Sequence, residues 1–79
     1  MPGMIKELDS VVLTRDFAQQ GLRQGDVGAV VHCYSNTGGF EVEFVTAEGR
    51  TVSVLTLAES DIRPMRKSEI LHVRDLTLA

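Results

Sequence analysis

The sequence predicts an all-β fold, a small and partly open barrel built from five short strands. Two observations support this. Glycines and prolines divide the 79 residues into short segments, and most of those segments are rich in β-branched residues. Closing a sheet on itself reduces the number of exposed strand edges, so short strands in so small a chain favour a barrel.

The first strand and the long loop after it occupy the N-terminal third. The stretch "LDSVVLT", residues 8–14, reads as a strand because β-branched residues dominate it. The following stretch "RDFAQQGLRQGD", residues 15–26, reads as a loop. Loops of about a dozen residues usually have a function or internal packing of their own. Phe17 and Leu22 are the expected internal anchors of this loop.

The stretch "GLRQGDVGAVVHCY", residues 21–34, leads from the loop into the second strand, predicted over residues 27–34. A phosphate-binding loop would need a lysine and a hydroxyl residue before a helix, and both are missing here. Gly25 and Asp26 instead suit a tight turn. Gly28 indicates a bulge or the close approach of a neighbouring backbone, and Val30 and Val31 are expected to enter the core.

Two hairpins follow. "SNTGG", residues 35–39, is turn chemistry, and "FEVEFV", residues 40–45, alternates apolar and acidic residues as a half-buried strand does. "AEGR" predicts a hairpin loop over residues 47–50. In "TVSVLTL", residues 51–57, the apolar phase slips by one position, which indicates a bulge, a bend or burial of both faces.

The C-terminal part is less regular. "AESD", residues 58–61, predicts one short helical turn, and "IRPM", residues 62–65, a short strand that Pro64 confines to an edge or a terminus. The tail of residues 66–79 fits either a helix begun at Ser68 or strands containing Leu71, Val73, Leu76 and Leu78. It carries too many aliphatic residues for a solvated tail. We expect it to dock on the barrel or on a second copy.

The quoted segments also carry a resemblance. Gln24 to Val31 resembles the Gly-Asp-x-Gly-x-Val core of KOW-type and other SH3-like barrels. From "IKELDSVVLTRD" to "DIRPM", residues 5–65 resemble a bacterial small-domain family of unknown function, the domain of unknown function 4926 type. This resemblance implies an SH3-like barrel over residues 5–65, with residues 66–79 as a C-terminal extension. It implies no established activity and no functional residues.

Composition narrows the function class. With 8 basic and 11 acidic residues the net charge is −3, whereas duplex-binding modules usually carry a basic surplus. The single cysteine allows no intrachain disulfide. No apolar run reaches the roughly 18 residues of a membrane span, and the start "MPGMIKELD" lacks the order of a secretory signal. We therefore expect a soluble cytoplasmic protein.

Candidate catalytic and metal-binding residues do not form a pattern. His32 and Cys33 are neighbours on a predicted strand, so they point to opposite faces and cannot readily share one metal ion or act as a base and nucleophile pair. His72 lies in the tail, and the aspartates have no informative spacing. The sequence therefore predicts no catalytic, cofactor or metal site, and no enzyme activity.

The leading functional prediction is a non-enzymatic binding module for a protein partner or a second copy. The long loop and the strand ends would supply the contacts, and the predicted partner-binding residues are Phe17, Leu22, Arg23, Tyr34 and Arg63. Glu41, Glu43 and Glu48 form an acidic stretch that could receive a basic partner. The alternatives are a KOW-type nucleic-acid-binding barrel acting through Arg15, Arg23 and Arg50, and an accessory subunit of an enzyme.

Overall fold

The computed structural model describes residues 5–76 and is all-β. Its strands are β1 (Ser10–Leu13), β2 (Val27–Cys33), β3 (Phe40–Val45), β4 (Thr51–Leu57) and β5 (Ile62–Pro64). They form one antiparallel sheet in the order β4-β3-β2-β1-β5. The predicted all-β class is confirmed. Since β4 and β5 are the two edges and do not pair with each other, the sheet is open and the barrel is a loose one.

Two short 3-10 turns among the described residues, Ala18–Gln20 and Glu59–Asp61, lie in the connections between strands. The second lies where the sequence predicts a helical turn, between β4 and β5. The first lies inside the long loop, where Phe17 and Leu22 form an isolated bridge. That bridge gives the loop the internal packing expected of its length.

The core lies on the inner face of the curled sheet. Its buried members come from all five strands and from the long loop: Val11, Leu13, Leu22, Val30, Val42, Phe44, Leu57 and Ile62. Gly28 shows how tightly the strands pack, because a Cβ at this position would lie 2.7 Å from both Val42 Cγ1 and Phe44 Cε1. The sequence predicts a bulge or the close approach of a neighbouring backbone at Gly28; the structure instead shows a close approach by side chains, and the bulge lies elsewhere.

A bulge in β2 lies three residues further on. The register with β3 shifts between Val30 and His32, which leaves Val31 as the extra residue. Val31 is consequently 43% exposed, and the prediction that it enters the core is wrong. Cys33 packs against the core, whereas His32 is exposed, as expected for neighbours on opposite faces.

The phase slip in β4 is also a bulge. Phe44 pairs with Ser53 and Val45 with Thr51, so Val52 is the extra residue. The bulge lets Val52 pack against the core while Val54 remains on the outer face, 47% exposed. Of the three structures that the sequence allowed for this segment, a bulge, a bend or burial of both faces, the bulge is the one observed.

The chain after β5 forms neither the helix nor the strands considered for it, as far as residue 76. Leu78, which belongs to the strands predicted for the tail, lies outside the described residues. We call residues 66–76 the C-terminal arm.

Candidate functional site

The C-terminal arm is fastened to the barrel at its start by Glu69. Nη1 and Nη2 of Arg63, in β5, donate to the two Glu69 carboxylate oxygens at 3.0 and 2.5 Å. The backbone N–H of Arg66 donates to the same carboxylate at 2.7 Å. The Arg63 hydrogen bonds, followed by the one from Arg66, lower the pKa of Glu69 to about 2. We call this contact the Glu69 latch.

A second latch fastens the far end of the arm to the long loop. Arg74 Nε and Nη2 donate to the Asp26 carboxylate at 2.9 and 2.5 Å, and Nη2 also donates to the Gly21 carbonyl at 2.8 Å. The loop orients Asp26 for this contact. Gly25 adopts a φ of +95° in the tight turn, and the Arg23 N–H donates to Asp26 Oδ2 at 2.8 Å. We call this contact the Arg74 latch.

The pKa of Asp26 reflects two opposing effects. Burial raises it, but the hydrogen bonds from Arg74 and from the Arg23 N–H lower it by more, so the pKa lies below its usual value. The carboxylate is therefore charged at neutral pH, and the Arg74 latch is a charge-assisted bidentate contact.

Between the two latches the arm exposes its largest apolar side chains. Ile70 is 92% exposed, Leu71 70% and Val73 89%. Within residues 5–76, no hydrogen bond involves the backbone of residues 70–73. We call residues 70–73 the aliphatic segment. Burying one such side chain is worth roughly 1.5–3 kcal/mol, so contact with an apolar surface would stabilise this segment.

The opposite edge of the sheet has few of the features that usually protect an edge strand. β4 is seven residues long, and "TVSVLTL" contains no charged residue and no proline. The other edge strand, β5, has three residues and ends at Pro64. Natural proteins usually blunt an edge strand with charge, proline, shortness or a bulge. β5 has two of these features, whereas β4 has only the bulge at Val52.

Acidic side chains from β3 lie over the outer face of β4. Thr56 Oγ1 donates to Glu41 Oε1 and Thr51 Oγ1 donates to Glu43 Oε2, each at 2.7 Å. Tyr34 Oη donates to Glu41 Oε1 as well, at 3.0 Å. This hydrogen bond is the main reason that the pKa of Tyr34 is raised. The β4 edge therefore carries a negative border.

The loop residues predicted to bind a partner have structural roles of their own. Phe17 is half-buried, and the Arg15 guanidinium lies 4.1 Å from the centroid of its ring. Leu22 is only 4% exposed because it joins the core, which agrees with its role as a loop anchor. Its side chain offers no surface to a partner in this conformation.

The remaining predicted residues divide into two groups. Arg63 forms the Glu69 latch, and the exposed Arg23 flanks the Asp26 carboxylate. The arm thus connects Arg63 with the long loop. Tyr34 lies beyond the other end of β2 from Asp26, about 23 Å along a strand of seven residues. The five predicted residues therefore do not form one site.

Sequence reasoning missed the residues that fasten the arm. The sequence predicts Asp26 to be a turn residue, and no pattern in it marks Glu69 or Arg74. The one available signal is the surplus of aliphatic residues in the tail, which indicates docking but not its position.

The part of the chain that the structure describes shows neither a metal-binding cluster nor a membrane-spanning helix. No group of three His, Cys, Asp or Glu side chains there has a metal-binding arrangement. No helix among residues 5–76 is long and apolar enough to cross a membrane.

Comparison with known proteins gives a family but no function. No curated protein and no solved structure matches the chain. One family model, described as a domain of unknown function (DUF4926), matches residues 7–64. The match spans all five strands and ends at Pro64, two residues before the arm, so the arm lies outside the matched region and the chain belongs to this family.

Proposed function

We propose that this chain is a non-enzymatic protein-binding module of the cytoplasm, and that the aliphatic segment is its contact surface. The observation that carries the proposal is the exposure of Ile70, Leu71 and Val73 between two ion-pair latches. Latches that hold an apolar strip away from the core reduce the entropy that a partner must remove on binding. An apolar surface on a partner protein would cover these three side chains, which the barrel leaves exposed.

The charges favour a protein over a nucleic acid as the partner. Arg15 is paired with Asp61 at 2.9 Å, and Arg50 lies 3.4 Å from Glu48. Arg23 flanks the Asp26 carboxylate. Each arginine considered for phosphate binding thus already has a carboxylate neighbour. A KOW-type role predicts a retarded RNA or DNA band at low salt that disappears as salt is raised.

Site-specific photo-crosslinking tests the proposal. A photoreactive residue at position 71 should crosslink to a protein, either a second copy or another chain, both in cells and after purification with that partner. Position 8 is the matched control because Leu8 is 85% exposed but lies outside the arm. The triple variant Ile70→Ser, Leu71→Ser, Val73→Ser should abolish binding of the purified partner.

The outcomes separate the alternatives. Equal and weak crosslinking from positions 71 and 8 would contradict the proposal. A crosslink to a much larger enzyme chain would identify the protein as an accessory subunit, which is still a binding function.

A further inference from the structure

We propose that the occupant of the aliphatic segment is the β4 edge of a second copy of this chain. The inference rests on the proposed function, because it names the partner of the same segment. In this arrangement residues 70–73 of one copy lie beside β4 (Thr51–Leu57) of the other and extend its sheet by one strand.

The β4 edge and the aliphatic segment have complementary backbone groups and apolar side chains. An edge strand presents a row of backbone N–H and C=O groups with no protein partner. Residues 70–73 present backbone groups that form no hydrogen bond within residues 5–76. The outer face of β4 also offers Val54, which is 47% exposed. Strand addition would pair both sets of backbone groups and cover apolar side chains on both sides.

Charge complementarity favours this partner. The start of the arm carries the exposed cations Arg66 and Lys67, whereas the outer face of the β4 edge is bordered by Glu41 and Glu43. A basic arm on an acidic edge gives the contact a preferred orientation. A second copy provides both surfaces, so the assembly needs no other protein.

The latches favour a contact between copies. The Glu69 latch fastens the arm to β5, which does not pair with β4, and the Arg74 latch fastens it to the turn before β2. Neither latch therefore brings the aliphatic segment to the β4 edge of its own copy. They need not open for docking, since Ile70, Leu71 and Val73 already point into solvent.

Light scattering on the full chain, over a series of protein concentrations, tests the proposal with three variants. The wild type should self-associate. The triple serine variant of the aliphatic segment should be monomeric, and so should Val54→Lys, because a cation on the β4 edge repels Arg66 and Lys67. Val54 lies opposite Glu43, so a lysine there faces a carboxylate and the fold should survive.

Val31→Lys is the matched control, because Val31 is 43% exposed and lies on an internal strand. This variant should associate as the wild type does.

Mixing the two monomeric variants gives the decisive result. The triple serine variant keeps an intact β4 edge, and Val54→Lys keeps an intact arm. One arm-to-edge contact can therefore form between them, and a fluorescent label on one variant should co-elute with the other at concentrations well above those at which the wild type associates. No hetero-complex in the mixture would overturn the proposal, as would a monomeric wild type or association that Val54→Lys leaves unchanged. A monomeric wild type that still crosslinks to another protein from position 71 would overturn this inference and leave the proposed function intact.

Discussion

Arg74 and Asp26 lie 48 positions apart in the chain, yet two hydrogen bonds of 2.9 and 2.5 Å join their side chains. The contact connects the end of the C-terminal arm to the tight turn that precedes β2. Because Asp26 also accepts the Arg23 N–H, one carboxylate organises both the turn and the arm. The position of the aliphatic segment depends on this pair.

Removing the Arg74 side chain should release the arm without unfolding the barrel. We expect Arg74→Ala to lower the free energy of unfolding by only roughly 1 kcal/mol, because both side chains are partly exposed and solvent screens the pair. The pKa of Asp26 should rise, because the Arg74 hydrogen bond that lowers it is lost, and backbone NMR relaxation should show more motion at residues 74–76 and no change in β2. Arg50→Ala is the matched control, since the Arg50–Glu48 pair is more exposed, and it should change none of these measurements. An unchanged Asp26 pKa together with unchanged motion at residues 74–76 in Arg74→Ala would contradict a latch.

Acid should weaken the Glu69 latch at an unusually low pH. The folded-state pKa of Glu69 is about 2, below its ordinary value of 4.5, so between these values the unfolded chain binds more protons than the folded one. The contribution of the latch is therefore fully present above about pH 4.5 and is lost as the pH falls through about 2. Carboxyl NMR chemical shifts should give this midpoint directly. Titration of Glu69 near pH 4.5 in the wild type would show that Arg63 does not hold it. Arg63→Gln should raise the midpoint toward 4.5, and the hydrogen bond from the Arg66 N–H should keep it below that value.

A methyl group at position 28 should disturb the core. In Gly28→Ala the new Cβ would lie 2.7 Å from both Val42 and Phe44, which are 0% and 2% exposed and cannot move into solvent. We expect a destabilisation of roughly 1–3 kcal/mol, the usual cost of overpacking. Chemical denaturation measures it. Ala29→Ser, at the exposed next position, is the control and should change the stability by less than about 0.5 kcal/mol. Equal stabilities for the two variants would mean that the strands separate easily at Gly28.

The aliphatic segment should contribute to binding and not to the stability of the single chain. Because Ile70 and Val73 are almost fully exposed and Leu71 is mostly exposed, their triple replacement by serine should change the unfolding free energy of the monomer by less than about 0.5 kcal/mol. The unfolding free energy should be measured by chemical denaturation at protein concentrations low enough to exclude association. A larger loss of stability would mean that the segment packs on its own barrel.

The sequence anticipated those features that neighbouring residues decide. β3 and β4 begin and end as predicted, because an alternating apolar pattern bounded by turn residues specifies a strand locally. The glycine turn at Gly25 and the phase slip in β4 follow from the same short-range rules, but the pattern alone left a bulge, a bend and burial of both faces open for β4. β1 is shorter than predicted, four residues instead of seven, because apolar composition marks a strand more reliably than its ends.

The sequence by itself determined the all-β class, the order of the strands along the chain and the presence of a surplus apolar tail. Tertiary structure alone decided that Val31 and not Gly28 is the bulge in β2, that Leu22 is buried, and that Arg74 meets Asp26. The physical reason is the distance in sequence between the residues that interact. Strand and turn preferences arise from contacts between residues close in sequence, whereas a bulge depends on the register of the neighbouring strand and an ion pair on how the whole chain folds back.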